Sequence, residues 1–117
     1  MGRRRKTKNR VPREVAETVR SRAQGFCEGL IRESGCNGQA EHLHHRQMRS
    51  QGGQHTVQNI LSLCHLCHTY VHMHPAISYT EGFLVKSHGD PATTHVKRRG
   101  GFTLLTGDGG FNDPETT

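Results

Sequence analysis

The chain has 117 residues, of which only 31% are hydrophobic; it has no Trp and a formal net charge of +6. A chain of this length makes one domain, and so few apolar side chains predict a small core that needs a metal or disulfides for stability. No run approaches the ~18 apolar residues of a membrane span, and no apolar signal-peptide core follows Met1. We therefore expect a soluble cytoplasmic protein with no membrane partner.

A basic segment opens the chain. Seven of the 16 Lys and Arg residues lie within the first 13 positions. Residues 1–11 carry few apolar side chains and are predicted to be a disordered arm. Such an arm favours a polyphosphate partner, because its cations replace the counterions condensed on nucleic acid. A solubilising tail is the alternative interpretation. The arm residues expected to contact DNA are Arg3, Arg4, Arg5 and Lys6.

An amphipathic helix is predicted over residues 12–23. Pro12 suits a first helical turn, and apolar residues recur at a spacing of four from Val15 to Ala23. Gly25 ends this helix.

A strand, a polar loop, a second strand and a helix are predicted next, after a loop over residues 27–36. Gly52 and Gly53 place a turn in the polar loop, and Pro75 stops the helix. The two strands and the helix are predicted at residues 40–45, 59–63 and 66–73. This order is a ββα unit, and it completes a domain over residues 12–75.

Residues 76–110 are predicted to be a C-terminal extension. It begins with a helical turn at 76–79, and its two strand-like runs, 82–85 and 102–105, are predicted to pair with each other. Residues 111–117 are expected to be a disordered tail.

The four cysteines predict a structural zinc. Cys64 and Cys67 are separated by two residues, which lets both sulfurs reach one tetrahedral ion. Cys27 and Cys36 would supply the other two ligands, since a glycine-containing loop bridges their wider separation. The alternatives are that Cys27 and Cys36 are incidental, or that the cysteines form two disulfides, which an intracellular protein disfavours.

The histidines predict a second, catalytic metal. His68 and His72 are four residues apart and share one helix face, and His44 can supply a third ligand from the preceding strand. His74 is the alternative to His72. His45 projects from the opposite face of the strand. It is a candidate general base, since an imidazole with an ordinary pKa of about 6.5 is mostly neutral at pH 7.

Together these motifs resemble the HNH endonuclease family. The matching text is His44-His45-Arg46, Arg49-Ser50-Gln51-Gly52-Gly53, the run from Asn59 to His68, and His72. The resemblance spans roughly residues 12–75 and is closest to small phage and prophage proteins with a four-cysteine zinc. It implies a ββα-metal finger stabilised by that zinc. With the N-terminal helix and the C-terminal strand pair predicted from the residue pattern, the expected fold class is small α+β.

The resemblance also implies residue roles. His45 would be the general base, and Asn59 would brace the loop that holds it. His44 and His68 would bind the catalytic ion, and His72 stands where the nuclease-colicin branch has a further ligand. Many members have Asp where this chain has His44, so Mg²⁺, Mn²⁺, Ni²⁺ and Zn²⁺ all stay open as the catalytic ion.

The function implied is a metal-dependent DNA endonuclease that leaves 3′-hydroxyl and 5′-phosphate ends. Phage genome processing or packaging in a bacterial host, beside terminase proteins, is the expected setting. Arg46 and Arg49 are expected near flanking phosphates; exposed loop arginines are an equally weighted interpretation. The competing hypotheses are a non-catalytic zinc module that binds DNA or protein, and a structural protein of a phage assembly. His45 and Asn59 argue against the first, and the basic arm argues against the second.

Overall fold

The computed structural model of the protein describes residues 10–112. The predicted arm lies outside the described residues except for positions 10 and 11, and so does the predicted tail except for positions 111 and 112. No helix within the described range is long and apolar enough to cross a membrane.

The first helix, α1, is Arg13–Ala23. It begins after Pro12, whose fixed φ suits the start of a helix, and it ends at Gln24 in the left-handed conformation. Its buried face includes Ala16, Val19 and Ala23. The predicted helix over 12–23 is therefore confirmed to within one residue.

The ββα unit is present in the predicted order. Strand β1 is His42–His45 and strand β2 is Ile60–Leu63, and they pair antiparallel with His44 opposite Leu61 and His45 opposite Ile60. Helix α2 follows at His65–Met73, and α3 at Pro75–Thr80. Short 3-10 turns at Arg32–Ser34, Arg49–Gln51 and Val57–Asn59 shape the connecting loops.

The C-terminal region departs from the prediction. It forms a three-stranded antiparallel sheet in the order β3 (Val96–Arg98), β4 (Gly101–Leu105) and β5 (Phe111–Asn112). The prediction that residues 82–85 pair with 102–105 is wrong, because 82–85 is a buried turn segment outside any strand. Residues 111 and 112 were expected in a disordered tail but form the edge strand β5, paired with Leu104 and Leu105.

One apolar core joins the ββα unit to the C-terminal region. Leu61, Leu63 and Val71 from the unit share it with Phe83, Val96 and other buried C-terminal residues, and with three of the cysteines. The fold is thus a small α+β structure with three of its four cysteines inside the core and Cys36 packed against it.

Candidate active site and metal centres

The four cysteines form one cluster. Their sulfur atoms all lie within 4.8 Å of one another, and all four cysteines are free rather than disulfide-bonded. Cys64 caps the N-terminus of α2, where its sulfur accepts a hydrogen bond from the Cys67 N–H at 3.3 Å. Cys27 and Cys36 are far from this helix in the sequence, but the fold brings them next to it. The four cysteines therefore lie together as predicted.

The surroundings of the sulfurs suit metal-bound thiolates. Backbone N–H groups donate to every sulfur at 3.2 to 3.4 Å: Gly29 and Cys64 to Cys27, Gly38 to Cys36, Cys67 to Cys64, and Ile31 to Cys67. Donors aimed at a sulfur favour its anionic form, which is the form that binds metal. The pKa of Cys27 falls to about 5, chiefly because the Cys67 thiol donates to it, although burial opposes the shift. These residues fit a four-coordinate structural ion.

A buried carboxylate docks the first cysteine loop onto β2. Glu28 is fully buried; its Oε1 accepts from the Ser62 N–H at 2.9 Å, and its N–H donates to the Ser62 carbonyl at 2.9 Å. Its Oε2 accepts from Arg22 Nε at 2.6 Å and from Arg98 Nε at 2.8 Å. Burial raises the pKa of Glu28, but the hydrogen bonds and charge of Arg22, with hydrogen bonds from Ser62 and Arg98, together shift it downward. This ion cluster was not predicted, since no sequence pattern links residues so far apart.

Three histidines form a second cluster. One ring nitrogen from each of His44, His68 and His72 lies within 4.8 Å of the others. His44 is buried, His68 is half-buried and His72 is exposed, so the cluster opens toward solvent. His74 is not a member; its ring stacks on Tyr70 at 4.1 Å between centroids.

His44 is prepared to act as a neutral ligand. Its Nε2 lies 2.7 Å from the carbonyl oxygen of Phe83. A carbonyl only accepts, so Nε2 carries the hydrogen and Nδ1 has the free lone pair. Burial, which the Phe83 contact partly opposes, lowers the pKa of His44 to about 3. A hydrogen-bonded second nitrogen of this kind orients metal-binding histidines in general, so the donor set fits a divalent ion with open positions.

His45 lies beside this cluster on the other side of β1. It is half-buried, and its Nε2 is 3.0 Å from His55 Nδ1. Burial, with smaller effects from His55 and Arg49, lowers the pKa of His45. The ring is therefore neutral at pH 7, as proton acceptance requires. His55 had no predicted role.

Asn59 fixes the loop between the two strands by three hydrogen bonds, which we call the Asn59 clasp. Its Oδ1 accepts from the Gln47 N–H at 2.7 Å, and its Nδ2 donates to the carbonyls of Gln47 and Gln54 at 3.0 and 2.9 Å. Gly53 is required in the same loop, because a Cβ there would lie 1.7 Å from the Gln47 carbonyl oxygen. The loop is thus held in one conformation between His45 and β2.

Comparison with known proteins finds one protein family whose model matches the part of the chain that contains these residues. Residues 27–73 match the family model described as HNH endonuclease. This segment, and not the whole chain, has the HNH-domain pattern. Neither the curated proteins nor the solved structures gave a match. The HNH match covers both clusters and the clasp, supports a nuclease-type function with metal binding, and implies a DNA substrate.

One predicted DNA contact of the HNH domain needs correction. Arg46 is fully buried, and its guanidinium donates to the carbonyls of Gly82, Gln58, Pro91 and Thr94 at 2.6 to 3.1 Å. Burial lowers its pKa to about 10, so it stays charged at pH 7. Since its donors are engaged inside the protein, Arg46 cannot reach a phosphate.

Arg49 differs from Arg46 in being exposed. Its Nη1 donates to the Gly53 carbonyl at 2.7 Å, and its charge acts on His45. Its positive charge therefore lies at the surface, near His45. The predicted contacts of Arg3, Arg4, Arg5 and Lys6 lie outside the described residues.

Proposed function

We propose that the protein is a metal-dependent DNA endonuclease that hydrolyses phosphodiester bonds to 3′-hydroxyl and 5′-phosphate ends. The observation that carries the proposal is the arrangement around β1. A three-histidine cluster lies on one side of this strand and the half-buried His45 on the other, inside an HNH domain.

The catalytic ion would be held by His44, His68 and His72, with Mg²⁺, Mn²⁺, Ni²⁺ and Zn²⁺ as candidates. When bound, it supplies positive charge that offsets the charge developing on the phosphate and on the leaving 3′ oxygen. Zn²⁺ in the four-cysteine cluster would have a structural role, because four protein ligands leave no open position.

His45 would take the proton from the attacking water. A neutral ring with a free nitrogen accepts that proton as the water oxygen attacks phosphorus. Asn59 would keep His45 in place through the loop that follows it, since three hydrogen bonds fix that loop. Arg49 would hold a flanking phosphate, together with four residues of the basic arm: Arg3, Arg4, Arg5 and Lys6.

A role in phage genome processing or packaging beside a terminase is part of the proposal and is supported by the sequence resemblance alone. One HNH site has one ion and one base, so a single chain is expected to nick one strand at a time.

The test compares wild type, His45→Ala and the matched control His88→Ala on supercoiled plasmid with each divalent ion. His88 is exposed and outside both clusters. His45→Ala should lose roughly 10²- to 10⁴-fold in rate, the usual contribution of a general base, with plasmid binding retained. His88→Ala should cleave like wild type. Cleavage by His45→Ala at the wild-type rate would overturn the proposed role, and plasmid binding without cleavage by any variant would favour a non-catalytic binding module.

A further inference from the structure

The loop histidine His55 makes one side-chain hydrogen bond among the described residues, and that bond is to His45. His55 Nδ1 and His45 Nε2 are 3.0 Å apart, with the ring centroids separated by 5.1 Å and tilted by 57°. The other nitrogen of His55, Nε2, is buried and has no partner within the described part of the chain. A buried polar atom normally has a hydrogen-bond partner. The fold therefore gains little from this histidine, which points to a role at the site.

The contact between the two rings couples their tautomers. Two neutral imidazoles form this bond only if one ring donates and the other accepts. If His55 Nδ1 accepts, His45 has its hydrogen on Nε2, and His45 Nδ1 has a free lone pair. If His55 Nδ1 donates, the hydrogen of His45 is on Nδ1, and neither nitrogen of His45 can then take up a proton. Only the first arrangement leaves His45 able to act as a base.

The backbone around both rings is fixed by one side chain. Asn59 bonds to Gln47, two residues after His45, and to Gln54, the residue before His55. The two rings therefore stand on one clasped loop, so their separation is set by the fold rather than by chance contact of exposed side chains.

We propose that His55 is a positioning residue that accepts the Nε2–H of His45 and so holds His45 in the tautomer that accepts a proton at Nδ1. The inference rests on the proposed function, in which His45 is the general base. After His45 takes a proton on Nδ1, the same bond persists, because the imidazolium still donates from Nε2. His55 thereby also stabilises the charged form that the reaction creates.

Three variants test this role. His55→Leu removes the acceptor while keeping a side chain of similar bulk. His55→Asn keeps an acceptor, since the amide Oδ1 stands close to where Nδ1 stood. His88→Leu repeats the first change at an exposed position. Each is measured for kcat and KM in plasmid nicking, for thermal stability, and for the ¹⁵N shifts of its histidine rings in long-range ¹H–¹⁵N spectra of the Zn²⁺-loaded protein.

The expected result is a loss of roughly 10- to 100-fold in kcat for His55→Leu, with KM within about twofold of wild type. His55→Asn should recover most of that loss, and His88→Leu should match wild type. In the spectra, His45 should have its hydrogen on Nε2 in wild type and His55→Asn, and a mixture of tautomers in His55→Leu. The proposal is overturned if wild-type His45 has its hydrogen on Nδ1, or if His55→Leu nicks at the wild-type kcat. Should wild type nick with no ion, the proposed function fails, and the spectra alone then decide on the histidine pair.

Discussion

Arg46→Met distinguishes a structural role of Arg46 from a role in contacting DNA. The wild-type guanidinium is fully buried and donates four hydrogen bonds to carbonyl oxygens, three of them in the C-terminal region. Methionine keeps an unbranched apolar stem of similar length but donates nothing. The variant therefore leaves those carbonyls without their donor while conserving most of the packing.

The magnitude follows from those contacts. An unsatisfied buried acceptor costs about 1–3 kcal/mol, but removal of a buried cation relieves part of its desolvation, so the net loss should be about 3–5 kcal/mol. At about 4–8 °C per kcal/mol, the melting temperature should fall by roughly 12–40 °C. Such a loss is a large fraction of the about 5–15 kcal/mol that stabilises a typical domain.

The assay pairs this variant with Arg49→Met. Arg49 is exposed, so the free energy of unfolding of its variant should lie within about 0.5 kcal/mol of the wild-type value. If Arg49 binds one phosphate, the slope of log K against log salt should become shallower by about 0.9. Arg46→Met should lose stability, but its slope of log K against log salt, measured below its melting transition, should equal that of wild type. A stable Arg46→Met with a reduced salt slope would refute the assignment of Arg46 to the interior.

Three further substitutions test the metal centres and the loop. Cys64→Ser should abolish the cooperative melt seen by circular dichroism, because metal binding supplies much of the folding free energy of small zinc domains; an unchanged melt would exclude a structural metal. Asn59→Asp sets a carboxylate against the two carbonyls that the amide now bonds, and urea unfolding should show a loss of about 2–4 kcal/mol, whereas wild-type stability would contradict the clasp. His68→Ala should weaken Mn²⁺ binding by at least about tenfold in calorimetric titration, while His74→Ala should not; equal affinities for the two variants would refute the histidine cluster.

The local elements were predictable because each has a short-range cause. The spacing of Cys64 and Cys67, the helical spacing of His68 and His72, and the alternation of His44 and His45 along a strand all depend on residues within one turn or one strand. The ββα order follows from these spacings. The structure brings the three histidines and the four cysteines together as the patterns predicted.

The C-terminal region was not predictable in the same way. Phe83, Leu84 and Val85 form a short continuous apolar run, which periodicity alone cannot assign to a strand. Their burial comes from packing around the HNH domain rather than from pairing: the Phe83 carbonyl meets His44, and the Val85 N–H donates to the Arg46 carbonyl. Strand β3 was missed because Val96-Lys97-Arg98 is short and polar.

Long-range contacts explain the other omissions. Arg46 follows two site histidines in a basic sequence, and nothing nearby in the chain shows that residues 82–94 fold over it. His55 is one of ten histidines, and it becomes distinct only when the clasped loop brings its ring to His45. In both cases the deciding neighbour lies at least ten residues away.

The most direct test of the central claim is the conversion of supercoiled plasmid to nicked circles by wild-type protein, before and after brief chelation and with each divalent ion restored in turn. We expect no nicking in chelator, recovery with at least one of Mg²⁺, Mn²⁺, Ni²⁺ and Zn²⁺, and nicked circles formed ahead of linear product. Undiminished nicking in chelator, or plasmid binding without nicking in every ion, would contradict a metal-dependent nuclease centred on His45.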